Sequence, residues 1–319
     1  MSSEQAASAL RREADSSTNA SSQQLRGGAA RPDPKTVIAR TGVLSGRVLA
    51  FDIHRAVIRL WTTAVRGNTV GGRVPTTGFS SDTVNLVWES GDWKISAFST
   101  GKGHVAPVST DQATNVAADF ADYVPARADD PVASGSTDGA GLPGPYRRDV
   151  RGARSAAVNS VLLHGDPRFF TDSAWRHTVL NSTSAPSALP DMKRDADSTA
   201  GLVAENRGVG TDGKSADGGT LVTRTGVLAT RTRTYSDQAA SVELWTASVG
   251  GVAGDDETLR PQVAFLRMSV DLIWSGGTWK ALSVSPSEPL VPSQSPTEQA
   301  TPAPQFSDVG GVADAAAFA

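Results

Sequence analysis

Cysteine is absent from the 319 residues, which excludes disulfides, thiolate nucleophiles and Cys-based zinc sites. Histidine is scarce, at four. Two of these, His54 and His104, read as solvated loop residues without metal-ligand spacing. The sequence has no apolar run of about eighteen residues, so no membrane span is expected. Met1-Ser2-Ser3-Glu4-Gln5 has neither a charged nor an apolar signal region, and the expected compartment is the cytoplasm. An excess of one charge is also missing: 30 Lys and Arg face 33 Asp and Glu, a net charge of −3. With no basic stripe, nucleic acid is not an expected partner. Gly208-Val209-Gly210 and Gly250-Gly251 lack the Lys-Ser/Thr sequel of a phosphate loop. Asp255-Asp256-Glu257 lacks the spaced oxygens of a calcium loop. The expectation is therefore no cofactor and no metal.

What is present is a repeat. Arg40-Thr41-Gly42-Val43-Leu44 recurs as Arg224-Thr225-Gly226-Val227-Leu228, and Leu60-Trp61-Thr62 as Leu244-Trp245-Thr246. Val84-Asn85-Leu86-Val87-Trp88 then matches Val270-Asp271-Leu272-Ile273-Trp274, and Gly91-Asp92-Trp93-Lys94 matches Gly277-Thr278-Trp279-Lys280. Order and spacing agree across some sixty residues, which reads as an internal duplication. Trp61, Trp88, Trp93, Trp245, Trp274 and Trp279 occupy matched positions and are expected to be core anchors.

Each copy has the period-two pattern of strands. Ala56, Ile58 and Leu60 alternate with Val57, Arg59 and Trp61, and the second copy keeps the first set while Arg59 becomes Glu243. That charge reversal marks the Arg59 side as the expected solvent side. Two-residue turns at Ser90-Gly91 and Gly276-Gly277 would set Trp88 opposite Trp93 and Trp274 opposite Trp279, Leu86 opposite Ile95, and Val84 opposite Ala97.

Helical spacing runs from about Arg148 to His164, breaks at Gly165-Asp166-Pro167, and resumes after Asp172 in a helix carrying Trp175, Val179 and Leu180. A third helix is expected from Ala196 to Asn206, and a short one from Asp111 to Tyr123. The main helices have no counterpart ahead of the first copy, so its sheet face at Ile58, Leu60, Leu86 and Trp88 needs other cover. The 116–123 segment, the second module or another chain are the options. The domain reading is an abbreviated module at 1–128, a linker at 129–145, a complete module at 146–285 and a disordered Pro/Ser/Gln/Thr-rich tail at 286–319.

Helices followed by a curved antiparallel sheet resemble the cone-shaped fold of nuclear transport factor two, ketosteroid isomerase and the SnoaL-type cyclases. The strand Ala56–Trp61 and the hairpin Leu86–Lys94 are similar to those of uncharacterised actinobacterial proteins with a Trp-x-x-Gly-Asp-Trp-Lys hairpin. The resemblance implies an α+β fold of two cone-like modules, each a curved antiparallel sheet packed with helices, the first lacking its N-terminal helices. Tandem cones also occur in conjugation and type IV secretion scaffolds.

Isomerase-type members would need a carboxylate base and an acidic Tyr or Asp, and of the tyrosines only Tyr235 falls on an expected cone strand. His164, Asp166, Asp172 and His177 surround the first helical break. A His–Asp pair there has the chemistry of a general base, against a plainer reading as helix-end and capping residues. The expected function is a non-enzymatic binding or assembly module with a protein partner or self-association. The alternatives are a SnoaL-type enzyme or carrier using the second module's pocket, and a conjugation-type scaffold component.

Overall fold

The computed structural model describes residues 33–125, 128–129 and 141–311. The first sheet is an antiparallel meander of β1 (Val37–Phe51), β2 (Arg55–Asn68), β3 (Thr76–Glu89) and β4 (Asp92–Lys102). Four helices follow: α1 (Val150–His164), α2 (Pro167–Thr171), α3 (Ser173–Thr183) and α4 (Leu189–Arg207). The second sheet repeats the meander with β5 (Thr220–Tyr235), β6 (Ala239–Ala253), β7 (Gln262–Ser275) and β8 (Thr278–Pro289). A short β9 (Ser293–Gln294) then returns to pair in parallel with β3. The class is α+β, as expected.

The hairpins close as the sequence implies. Ser90 and Gly91 have φ of 56° and 80°, and Gly276 and Gly277 have 60° and 79°. These left-handed pairs give tight turns matched to the strand twist. Trp88 lies opposite Trp93 and Trp274 opposite Trp279, with ring centroids 5.4 and 5.5 Å apart. Val84 does not face Ala97: a register shift between Asn85 and Leu86 moves it to Phe98. The second sheet has the same irregularity between Asp271 and Leu272. Further shifts at Val43/Ser45 and Val48/Ala50 recur at Val227/Ala229 and Thr232/Thr234. Bulges bend strands, so matched bulges give the two sheets matched bends.

The sheets meet through β1 and β5. At their crossing, a Cβ on Gly226 would stand 2.9 Å from the Val43 carbonyl oxygen, and one on Gly42 3.2 Å from the Gly226 carbonyl carbon. Only side-chain-free backbone fits there. The crossing brings together the sheet faces that carry the first tryptophan of each repeat. Ile38, Leu44, Trp61, Val65 and Phe79 join Leu228, Trp245, Val249, Val263 and Phe265 in one apolar cluster. This overturns the assignment of the Arg59/Glu243 side to solvent: that side of each sheet carries its buried Trp61 or Trp245, and Glu243 itself is buried, while Arg59 is exposed. It also means that the core is not divided at residues 129–145. Of that expected linker, Asp129 exchanges backbone hydrogen bonds with Thr230 (3.0 and 3.2 Å), Leu142 is buried, and 130–140 lie outside the described residues.

The chain after each sheet crosses to the other sheet. After β4, Asn115 N donates to Val291 O (3.1 Å), and the Gln112 side-chain oxygen accepts from Phe265 N (3.1 Å). Phe120, on a 3-10 turn at Ala117–Tyr123, lays its ring on Trp245 at 5.5 Å. After β8 the same contacts occur in reverse. Thr301 N donates to Val105 O (3.0 Å), and Glu298 Oε1 accepts from Phe79 N (3.4 Å). Phe306, on a 3-10 turn at Ala303–Asp308, lays its ring on Trp61 at 5.9 Å. The repeated arginines anchor these arms, Arg40 Nε donating to Tyr123 O (3.0 Å) and Arg224 Nη2 to Gly311 O (2.8 Å).

The tail expected to be disordered from 286 is thus packed through Gly311, with Leu290, Val291, Ala303 and Phe306 fully buried; residues 312–319 lie outside the described residues. Its polar composition hid a few apolar anchors that the opposite sheet receives. The expected Asp111–Tyr123 helix is reduced to the 3-10 turn, and the third helix begins at Leu189, not Ala196.

Helix α1 starts where the Asp149 carboxylate accepts from Gly152 N (2.6 Å). It covers the outer face of the second sheet, Ala153, Ala156, Ala157 and Val161 packing on Val242, Leu244, Leu272 and Trp279. Helix α4 ends at Gly208, whose φ of 60° provides the left-handed cap.

Two substitution pairs test this architecture. Gly226→Ala should cost about 1–3 kcal/mol in denaturant unfolding because backbone must shift. Gly250→Ala, which meets nothing within 4 Å, should stay within about 0.5 kcal/mol. Phe306→Ala and Phe120→Ala should each cost about 3–5 kcal/mol. A small loss at Phe306 would mean that the C-terminal arm does not hold the first sheet.

Candidate functional site

An apolar recess lies between α1, α4 and the second sheet, a cavity of 380 Å³ walled by Val161, His164, Phe170, Leu221, Leu266 and Met268 among others. His164, in the last turn of α1, stacks on Phe169 with centroids 4.5 Å apart. Its Nε2 is buried and has no hydrogen-bond partner. Burial drives its pKa down to about 4, so the ring is neutral at physiological pH.

The other three candidates do not join it. Asp166 is fully buried, caps α2 by accepting from Arg168 N (2.8 Å), and takes a bidentate ion pair from the Arg168 guanidinium (3.0 and 2.8 Å). Asp172 caps α3, accepting from Trp175 N (3.0 Å). His177 Nε2 lies 2.9 Å from Asp197, which also pairs with Arg176 at 2.7 Å. Burial works to raise the Asp197 pKa, but hydrogen bonds from Arg176 and His177 outweigh it and hold the carboxyl low. The expected cluster is therefore two helix caps, one ion pair between α3 and α4, and one isolated imidazole. None of the described residues lining the cavity is Asp, Glu or Tyr, so the carboxylate base and acid of isomerase chemistry are not assembled there. Tyr235 sits elsewhere, its hydroxyl 3.5 Å from Asp237. Among the described residues no three His, Asp or Glu side chains converge as metal ligands.

The six tryptophans divide. Trp61, Trp245 and Trp279 are buried, the last donating from Nε1 to Arg147 O (2.9 Å). Trp274 is half-buried under the Arg148 guanidinium, 5.3 Å from its ring centroid. Trp93 is half-buried beside Phe51, and Trp88 is exposed. The expectation of a core anchor fails at Trp88, which is exposed because no helix among the described residues covers its sheet face.

That face is the second candidate. Val43 (37%), Trp88 (43%), Phe98 (55%), Ile95 (60%) and Phe51 (69%) stand open to solvent. Their counterparts in the second sheet, Val227, Trp274, Val284, Ala281 and Tyr235, all pack in the cluster beneath α1. The 117–123 turn and the second sheet, two of the expected covers, pack on the opposite side of the first sheet or on the second sheet itself.

A polar group that the sequence did not single out is Glu243. It accepts from Tyr123 Oη (2.7 Å), Arg231 Nη2 (2.9 Å) and Arg233 Nη2 (2.5 Å). Burial works to raise its pKa, but the Tyr123 hydrogen bond and the two guanidinium groups hold it below the usual glutamate value. Burial and the same hydrogen bond push the Tyr123 phenol up. The overlooked sequence signal is Ala117-x-x-Phe120-x-Asp122, which recurs as Ala303-x-x-Phe306-x-Asp308.

No family model and no curated protein matches the chain. Among solved structures it is similar to one described as "Ntf2 like protein involved in plasmid conjugation", at 7% identity over 78% of each chain and a TM-score of 0.19. A score of that size does not establish a shared fold. No helix among the described residues is long and apolar enough to cross a membrane.

His164 supplies a pH test. Its folded pKa is depressed, so the unfolded chain binds the proton first, and the stability held by the neutral ring is complete above about pH 6.5. That contribution should be lost as pH falls toward 4. His164→Leu should flatten the fall in thermal midpoint between those pH values; parallel wild-type and variant curves would mean that the ring is solvated.

Proposed function

We propose that the protein is a non-enzymatic binding or assembly module built from two copies of one cone-like unit, residues 1–128 and 146–285, of the nuclear transport factor two and SnoaL type. The observation that carries this reading is the apolar face of the first sheet, exposed and without a covering helix among the described residues. Leaving such area in water costs about 25 cal/mol per Å², and an exposed contiguous patch of large side chains marks an interaction surface.

The second sheet indicates the occupant. There the matched face takes an α-helix with a small-residue stripe, Ala153, Ala156, Ala157 and Val161. It is hooked by Trp279 Nε1 on a backbone carbonyl and by an arginine over Trp274. In the first sheet Trp93 and Trp88 stand at those two positions. The partner is accordingly a protein helix with a small apolar stripe and a basic residue at its N-terminal end.

A SnoaL-type carrier is the second reading, supported by the 380 Å³ cavity and the unpartnered His164 Nε2. The absence of carboxylate or Tyr from the described lining favours carriage over catalysis. The reading as a conjugation-type scaffold component rests on tandem architecture alone.

A labelled peptide spanning residues 146–164, the chain's own sheet-covering helix, serves as the probe. It should bind the full chain saturably in fluorescence anisotropy. Ile95→Asp with Phe98→Asp should abolish binding and leave the thermal midpoint within a few degrees of wild type, since both side chains are already exposed. Failure of the wild-type chain to bind, or equal binding by the double variant, would remove the basis for this assignment.

A further inference from the structure

The two repeats carry equivalent polar corners beside their buried tryptophans, and the corners differ in their balance of charge. Trp245 Nε1 donates to Leu290 O and Trp61 Nε1 to His104 O, both at 3.0 Å. These matched bonds align the chain on either side. In the strand registers Arg231 faces Glu243, and Arg47 faces Arg59. Two residues before each carbonyl acceptor stand Glu288 in the second repeat and Lys102 in the first. Carboxylates at two aligned positions of the second repeat are thus cations in the first, although a register shift at Leu266/Met268 leaves Pro289, not Glu288, opposite Leu266 where Lys102 stands opposite Ser80.

In the second repeat the corner is balanced and filled. Arg231 pairs with Asp122 and Glu243, Arg233 with Glu243, and Arg267 with Glu288. The Tyr123 ring fills the space against Trp245, with centroids 5.1 Å apart. In the first repeat Tyr123 is replaced by the smaller Val309, and a cavity of 250 Å³ opens. It is lined by Arg47, Arg59, Lys102, His104 and Trp61, with Asp308 as the single carboxylate. Asp308 is already engaged, its carboxylate 2.7 Å from His104 Nε2 and its backbone carbonyl accepting from Arg47 Nη2 (3.1 Å). Arg59 and Lys102 are exposed and have no carboxylate partner among the described residues.

We propose that this pocket is a binding site for a carboxylate side chain of an acidic peptide segment. The segment would enter where Glu243 supplies its carboxylate in the second repeat. The internal template fixes the chemistry: a carboxylate between guanidinium groups, against a tryptophan-bearing wall. Fork-shaped guanidinium groups recognise oxyanions by charge-assisted hydrogen bonds. The pocket opens on the opposite side of the first sheet from the bare apolar face, so this site does not depend on the helix-docking reading.

The test uses the full chain and fluorescein-labelled hexaglutamate, measured by anisotropy at fixed ionic strength. Saturable binding is expected, with displacement by inorganic phosphate. Arg59→Glu with Lys102→Glu, which installs the second repeat's acids, should weaken it about tenfold or more without lowering the thermal midpoint. Lys94→Glu, an exposed cation that does not line the pocket, should leave it unchanged. Three results would overturn the assignment: no saturable binding by wild type, binding of phosphate but not of the peptide, or equal loss in Lys94→Glu. If the double variant unfolds, Arg59→Gln alone must still reduce affinity severalfold, and full retention would count against the site.

Discussion

The crossing of β1 over β5 at Gly42 and Gly226 sets the rest of the structure. Backbone atoms there approach so closely that a single Cβ would have to displace a carbonyl. That contact turns one face of each sheet inward and places Trp61 and Trp245 in a shared apolar cluster. It also explains the repeated Arg-Thr-Gly sequence. The glycine permits the approach, and the buried arginine two residues earlier reaches across to a carbonyl of the arm that closes the cluster. A buried guanidinium is costly unless its donors are used, so these arginines tie arm and strand together.

The reciprocal arms are the second consequence. A sheet buried on one side by another sheet leaves its edges and ends open, and here each is closed by the segment following the other repeat. Gln112 meets Phe265 as Glu298 meets Phe79, and Phe120 meets Trp245 as Phe306 meets Trp61. Neither sheet holds its full set of aromatic partners without the other's arm. The repeats are therefore linked by mutual closure as well as by simple face contact.

The hairpins, their turn residues and the tryptophan pairs were readable in the sequence, because a period-two pattern around Ser90-Gly91 and Gly276-Gly277 admits one local solution. Helix α1 and the Asp172 cap were readable for the same local reason. What local pattern could not reveal was which face met what. Arg59 and Glu243 look like solvent-side residues on an alternating strand, yet a buried charge is stable when paired, and Tyr123, Arg231 and Arg233 pair Glu243. The arms were hidden by composition: in 286–311 a few apolar residues among Pro, Ser and Gln suffice, since the receiving surface is built by residues far away in the chain. Of the site residues, the sequence located the His164 break, but proximity in sequence near Asp166, Asp172 and His177 did not become proximity of function. Asp166 and Asp172 are spent on helix caps, and His177 on an ion pair that joins α3 to α4.

Because the repeats share their crossing and all but one of their register shifts, the one between Leu266 and Met268 being confined to the second sheet, each serves as a physical control for the other. Where the second repeat is closed, by α1 over its outer face and by Glu243 and Glu288 among its arginines, the first has neither a matching helix nor matching carboxylates among the described residues. An open apolar face alone reflects only the lack of a matching helix among the described residues. A charge reversal at Arg59 and Lys102 is different: deleting a helix does not turn two acids into two bases on the opposite side of the sheet. Like charges brought to one pocket repel one another and weaken the fold unless an anion joins them. The first repeat therefore carries a polar demand of its own. Together with its exposed apolar face, this sets its surface apart from that of the second repeat among the described residues.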